Sequence, residues 1–395
     1  MKEPAASPGE RLTQSRYDLM KIAATLEDVI SLGVGDPDLH TSHDIVRRTT
    51  RELLGRRPSS DPRGLPELRQ AVATRYRLDK GLTFDLQSEI LITNGAQEGL
   101  FLAVMALVNP GDEVLLPDPR YSSYDQAVEA AGGLVVEVPT DARHDFQLEA
   151  REVRARGSSA KLLIFPNPSN PTGALVREEG VREIAKAARE TGILVLSDEV
   201  YETLVYDGAK LQSMAPCEAM RERTITLSSV SKSYAMTGFR LGYLLGPPAF
   251  IEGASRLKAA ISGPCPLYSQ CAALAALAGP QDVTREILET LAGRRRVMME
   301  GLDSISIPYS RPGGAFFVWA DVSRCGMPAE EFCRRLLLDS RVLLFPGSAF
   351  GSRWKDYVRI SILQPEEKIA EAVSRIRRFT ESLCPGGERE KRSRS

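Results

Sequence analysis

The chain has 395 residues, 43% of them hydrophobic, more than one ordinary core accommodates, so a large domain with a smaller one is expected. The formal net charge is −1, which leaves no basic field to attract nucleic acid or an anionic membrane and points to a small-molecule partner. No stretch reaches the roughly 18–20 apolar residues of a membrane span, and "MKEPAASPGERLTQSRYDLMK" lacks a signal-peptide core, so a soluble, cytoplasmic protein is expected.

In chain order, "SEILITNG" reads as a strand ending at a turn, and "AQEGLFLAVMALVNPGD" as a helix closed by Asn-Pro-Gly. "DEVLLPDP" is a strand stopped by prolines, and "KLLIFPNPSNPTG" is a strand entering a rigid loop. "REEGVREIAKAARETG" places Val181, Ile184, Ala185 and Ala188 on one helical face, with Gly192 as its C-cap. "ILVLSDEVY", "RTITLSSVSK" and "FRLGYLLG" follow as buried strands. Strands alternating with helices argue for a mostly parallel sheet covered on both faces. After about residue 280 the pattern changes to a long charged helix, "REILETLAGRRRVMMEGL", a strand, "GAFFVWADV", and a final helix, "PEEKIAEAVSRIRRFTESL".

Cys217, Cys265, Cys271, Cys325, Cys333 and Cys384 form no C-x-x-C pair and lie far from His40, His43 and His144, so reduced thiols are expected rather than a disulfide framework or a metal site. No G-x-x-x-x-G-K-[ST] occurs, and no G-x-G-x-x-G follows a strand.

In a sheet of this kind ligands gather at the carboxyl ends of strands. Asp198 directly follows "ILVLS"; a carboxylate at that depth is either a helix cap, part of a structural ion pair, or a counter-ion for a cationic ligand atom. Asn94–Gln97 makes a strand-to-helix turn whose free N–H groups suit a phosphate, a weak signal by itself. Lys232, with Ser229 before it and Arg240 after it, reads alone as a solvated loop lysine; the hydroxyl and the guanidinium suit a phosphate, and a lysine partly desolvated near positive charge becomes a carbonyl-seeking amine.

With these residues in view, the chain resembles the class I/II aminotransferases of pyridoxal phosphate (PLP) fold type I, the aspartate aminotransferase superfamily. The resemblance runs from about Val29 to Phe379 through "LGVGDPD", "GLPELRQAV", "TNGAQEGL", "PDPRYSSY", "NPSNPTG", "SDEVYE", "SSVSKSYAMTGFRLGY", "PGGAFF", "LLFPGSAFG" and "VRISI". It implies an α/β fold: a large domain with a mostly parallel sheet covered by helices, and a smaller α+β domain. The corresponding division is 1–45 joining the small domain, 46–279 as the large PLP-binding domain, 280–384 as the small C-terminal domain, and 385–395 as a disordered tail.

The resemblance further implies that Lys232 carries PLP as a Schiff base and then moves the substrate's α-proton. Asp198 would keep the pyridine nitrogen protonated. Tyr201 and Asn170 would hydrogen-bond the ring's phenolic oxygen, and Tyr121 would stack on the ring. The phosphate would be held by the backbone of Ala96 and Gln97 with Ser229, Ser231 and Arg240. Arg359 would grip the substrate α-carboxylate, with Gly35 and Asn170 completing the clamp.

The reaction implied is transfer of an amino group from an α-amino acid to a 2-oxo acid, in a homodimer. A PLP-dependent lyase, cyclase or carbon–carbon bond-forming enzyme is the alternative. A sensor fused to a DNA-binding module is disfavoured, because the matching segment begins close to the first residue. One position departs from the family pattern: Ser59 stands where members usually carry a tyrosine that reaches the partner subunit's cofactor phosphate. It is either neutral drift or room for a larger substrate.

Overall fold

A computed structural model describes residues 8–35, 37–54, 56 and 61–383. Ser59, Cys384 and the tail 385–395 lie outside the described residues. In chain order the strands are β1 (Ile30–Ser31), β2 (Ile90–Thr93), β3 (Glu113–Asp118), β4 (Leu134–Pro139), β5 (Leu162–Pro166), β6 (Leu194–Asp198), β7 (Thr224–Ser229), β8 (Gly242–Leu245), β9 (Tyr309–Ser310), β10 (Phe317–Asp321), β11 (Val342–Leu343), β12 (Phe345–Pro346) and β13 (Tyr357–Ser361).

The central sheet has seven strands in the order β2-β8-β7-β6-β5-β3-β4. Its pairings are parallel except for those that β8 makes with β2 and β7. The apolar runs of these strands are continuous because both faces are covered. In β5, Leu162 and Ile164 pack with Leu100, Val104, Val128 and Ile251 on one side. Leu163 and Phe165 pack with Val181, Ile184, Ala185 and Ala188 on the other, the alternation expected of successive strand residues. The helix Glu178–Thr191 ends at Gly192 with φ 77°, the left-handed cap that glycine adopts at little cost. β4 escaped the sequence pattern: it edges the sheet, and of its residues only Val138 is buried.

A second, antiparallel sheet has the order β12-β13-β10-β9. The helices Asp282–Ser304 and Glu366–Leu383 belong to the same core as this sheet, with Leu291, Met298, Leu302, Ile369 and Phe379 among Phe316, Trp319 and Phe332. β1 pairs in parallel with β11, and Ser361 N donates to Leu32 O at 2.6 Å. That pairing brings the segment after β1, Gly33–Gly35, to the end of β13.

Five of the six cysteines, Cys217, Cys265, Cys271, Cys325 and Cys333, are free thiols. No described helix is long and apolar enough to cross a membrane.

Candidate active site

The strand register converges on one place. Asp198 ends β6 beside Leu227 of β7; Ser229 ends β7 opposite Gly242 of β8, and Gly242 is also paired with Thr93, the last residue of β2. A cavity of about 330 Å³ opens here, and every site residue singled out from the sequence lines it: Gly35, Ala96, Gln97, Tyr121, Asn170, Asp198, Tyr201, Ser229, Ser231, Lys232, Arg240 and Arg359.

Lys232 does not lie in a loop but on a single helical turn, Val230–Ser233. Ser229 caps that turn: its hydroxyl accepts from Ser231 N at 3.0 Å and donates to Leu241 O at 2.8 Å. The turn aims the Lys232 ammonium across the cavity to Gly35 O at 2.8 Å, and its Nζ lies 5.6 Å from the centroid of Phe316.

Asp198 is buried, and no cation pairs with it among the described residues. Its Oδ2 accepts the Tyr124 hydroxyl at 2.8 Å, and Oδ1 accepts Val200 N at 3.2 Å. Burial pushes its carboxyl up to about 6, against the pull of those two donors. No ion pair engages Asp198 among the described residues; apart from its local bond from Val200 N, the carboxylate is suited to a cationic ligand atom. Tyr124 escaped the sequence reading although it stands three residues after Tyr121, at the start of the helix Ser123–Ala130 that Tyr121 precedes.

The helix Gly95–Leu107 begins at the cavity, so the N–H groups of Ala96 and Gln97 have no acceptor within the helix itself. Three features hold this terminus in place. Arg240, at φ 51°, swings toward it; a Cβ on Gly95 would stand 2.9 Å from Arg240 Cζ. Gly242 lets β8 pass beneath, since a Cβ there would meet Ala96 N at 2.6 Å. Glu98 accepts Asn94 N at 2.6 Å and is itself neutralised by the fully buried Lys258 at 2.9 Å. Neither Glu98 nor Lys258 was legible beforehand, because their pairing spans 160 positions.

At the opposite wall Arg359 of β13 is buried, with Cζ 4.2 Å from the centroid of Phe317 and 4.6 Å from that of Phe350. Nη1 donates to Asn170 Oδ1 at 2.9 Å and Nη2 to Gly33 O at 2.6 Å, while Nε is buried without an acceptor. Gly33 O is the backbone carbonyl on Arg359, and Gly35 O is the one on Lys232. Burial, and secondly the positive charge of Arg16, lower the Arg359 pKa. Burial likewise raises the Tyr201 phenol, with Arg359 and an Asn170 hydrogen bond pulling the other way. Arg16, from the helix Pro8–Ala23, is a further cavity residue that sequence patterning did not single out.

Comparison with known proteins decides what this arrangement belongs to. The family model "Aminotransferase class I and II" matches residues 27–376. The chain belongs to the class I and II aminotransferases. It shares 36% identity with an aspartate aminotransferase of Pyrococcus abyssi, over 91% of this chain and 93% of that one. An aromatic-amino-acid aminotransferase 2 of Thermococcus litoralis is equally similar, 36% over the same shares. Among solved structures, the aromatic aminotransferase of Pyrococcus horikoshii superposes with a TM-score of 0.87 at 34% identity, covering 92% of this chain and 99% of that one. The architecture is that of the PLP-dependent fold type I, and the chain is an enzyme that transfers amino groups.

Proposed function

We propose that the cavity holds pyridoxal phosphate through Lys232 and passes an amino group from an α-amino acid to a 2-oxo acid. The reading is carried by one observation: Asp198, a buried carboxylate with no cationic partner among the described residues, lines the same cavity as Lys232. A protonated ring nitrogen would supply the missing cation. The helix start at Ala96 and Gln97, the Ser229 and Ser231 hydroxyls and Arg240 suit a phosphate dianion. When bound, the cofactor supplies an electron sink for the charge that develops at the substrate's Cα.

The chain's own residues do the rest. Tyr121, which lines the cavity, would cover one face of the ring, and Tyr201 with Asn170 would hold its phenolic oxygen. Arg359 and Asn170 fix the substrate carboxylate, which orients the Cα–H bond. The Lys232 amine, aimed across the cavity, is the base that would take the proton from the substrate's Cα, a positioned transfer typically worth ~10²–10⁴-fold.

The same reading takes 46–279 as the cofactor-binding domain and 280–384, with 1–45, as the small domain. It also takes the enzyme to be cytoplasmic and a homodimer. The test is spectral. Holoenzyme mixed with individual amino acids should convert to its aminated form, and a 2-oxo acid should restore the starting spectrum. A lyase or cyclase would release product with no 2-oxo acid present, and that outcome overturns the reading.

A further inference from the structure

Successive residues of a strand face opposite sides of the sheet. Asp198 and Ser229 line the cavity. Their chain neighbours Ser197, Glu199 and Ser228 instead join a second, polar cluster that the proposed reaction does not use. At the centre of that cluster is Lys80, the last residue of the helix Pro66–Lys80.

Lys80 Nζ donates to Glu199 Oε2 at 2.7 Å and also to Glu202 Oε2. Glu199 is buried, and its carboxylate further accepts the Ser197 hydroxyl at 2.9 Å and the Ser213 hydroxyl at 2.7 Å. Glu202 accepts the Ser228 hydroxyl at 2.6 Å and the Tyr243 hydroxyl at 3.4 Å. One ammonium thus serves two carboxylates, whose other acceptor positions are met from β6, β7 and β8. Burial opposes the Lys80 charge, but Glu199 and Glu202 outweigh it and hold the ammonium above its usual pKa. The other titratable groups on this side are the Tyr76, Tyr234 and Tyr243 phenols, each pushed up by burial. The Arg75–Asp79 pair and Lys210 line the same cavity of about 380 Å³. On its own side Asp198 shares the first cavity with Tyr124, Tyr201, Lys232 and Arg359.

The cluster bears on Asp198 through charge and through position. Glu199 is the next residue in the chain, and its charge adds to the effect of burial in pushing the Asp198 carboxyl up. Lys80 neutralises that charge at its source. The same bonds anchor Ser197 and Ser228, the residues just before Asp198 and Ser229, and Ser228 is paired across the sheet with Tyr243. We propose that Lys80 is a positioning residue of the reaction: by neutralising Glu199 and Glu202 it shields Asp198 from their charge and fixes the strand ends that carry Asp198 and Ser229. The inference rests on the reading of Asp198 as the counter-ion of a protonated ring nitrogen.

The experiment follows kcat against pH for the holoenzyme and its variants, with an amino acid that converts the parent. Asp198 must be ionised, so a negative neighbour moves the acid limb up and a positive one moves it down. Lys80→Met should raise the limb by about half to one pH unit, and Lys80→Arg should return it toward the parent. Glu199→Gln should shift it the opposite way, down, and Lys80→Met with Glu199→Gln should fall between the two single variants. The Glu199→Gln arm decides the matter even where Lys80→Met leaves too little folded protein, since that variant keeps Lys80 and buries one charge fewer. A role in packing alone would lower kcat at every pH and leave the limb in place in all of them, and that result overturns the proposal. Asp198→Asn separates the two readings. Its residual activity should have no acid limb; a limb that persists there refutes the counter-ion reading and this inference with it. A limb that Asp198→Asn removes but Lys80→Met and Glu199→Gln leave unmoved refutes this inference alone.

Discussion

Tyr124 donates its hydroxyl to Asp198 Oδ2 at 2.8 Å, from the start of a helix 74 positions earlier in the chain. Asp198 must be ionised to hold a protonated ring nitrogen, and burial works against that ionisation. The phenol is one of two donors that favour the charged form. Tyr124→Phe removes it and should push the Asp198 carboxyl further up. A hydrogen bond to a charged group is worth about 1.5–3 kcal/mol, so the acid limb of the kcat profile should move up by about one pH unit or more. An acid limb that stays in place would show that Tyr124 serves packing alone.

Asp198 also makes stability depend on pH once the cofactor is stripped. Its carboxyl sits at about 6 in the fold against 3.8 when unfolded, so between those values the native state binds more protons than the unfolded one. The contribution of Asp198 to stability is then largest below the unfolded value and falls as pH rises through the window, by on the order of 3 kcal/mol in total. Urea unfolding of the stripped protein at a series of pH values should show the parent losing stability relative to Asp198→Asn as pH rises through that window. The same slope in both proteins would assign it to other groups.

These two residues mark how much could be read beforehand. Lys232, Asp198, Asn170, Tyr201 and Arg359 stand in contiguous motifs, and Asp198 and Arg359 lie on strands whose apolar runs are plain. The convergence of Lys232, Asp198, Asn170 and Tyr201 follows from a parallel sheet that delivers its carboxyl ends to one edge, whereas Arg359 is brought to them by β13 of the antiparallel sheet. Tyr124, Arg16 and the Glu98–Lys258 pair carry no such local signature. Arg16 reaches Ser122 across 106 positions, and its helix reads as an ordinary polar surface segment. β4 was hidden for a related reason, since an edge strand with one buried residue shows little alternation. Lys232 was expected in a loop; the serine cap that turns this stretch into a helical turn is local, but the turn is only four residues long.

Gly95 tests the phosphate cradle. Its φ is 79°, and an added Cβ would press on the Arg240 guanidinium. Gly95→Ala should displace Arg240 and weaken cofactor binding by roughly 10–100-fold, the loss of one charge-assisted hydrogen bond. Fluorescence titration of the stripped protein with pyridoxal phosphate measures it. Unchanged affinity would remove Arg240 from the phosphate site.

Arg359→Lys keeps a positive charge but loses the planar fork that now spans Asn170 Oδ1 and Gly33 O. Substrate kcat/KM should fall roughly 10–100-fold while the cofactor's absorbance stays as in the parent. An equal response to an amino acid and its decarboxylated amine in the parent enzyme would rule out the carboxylate clamp.

The central claim is that the Lys232 amine is the group that carries the cofactor. Borohydride reduction of the holoenzyme, digestion and peptide mass mapping locate the modified lysine directly. The label should fall on the peptide containing Lys232 and be lost in Lys232→Arg. A label on Lys80, Lys258 or any other lysine, or an active holoenzyme that takes no label, would contradict the assignment.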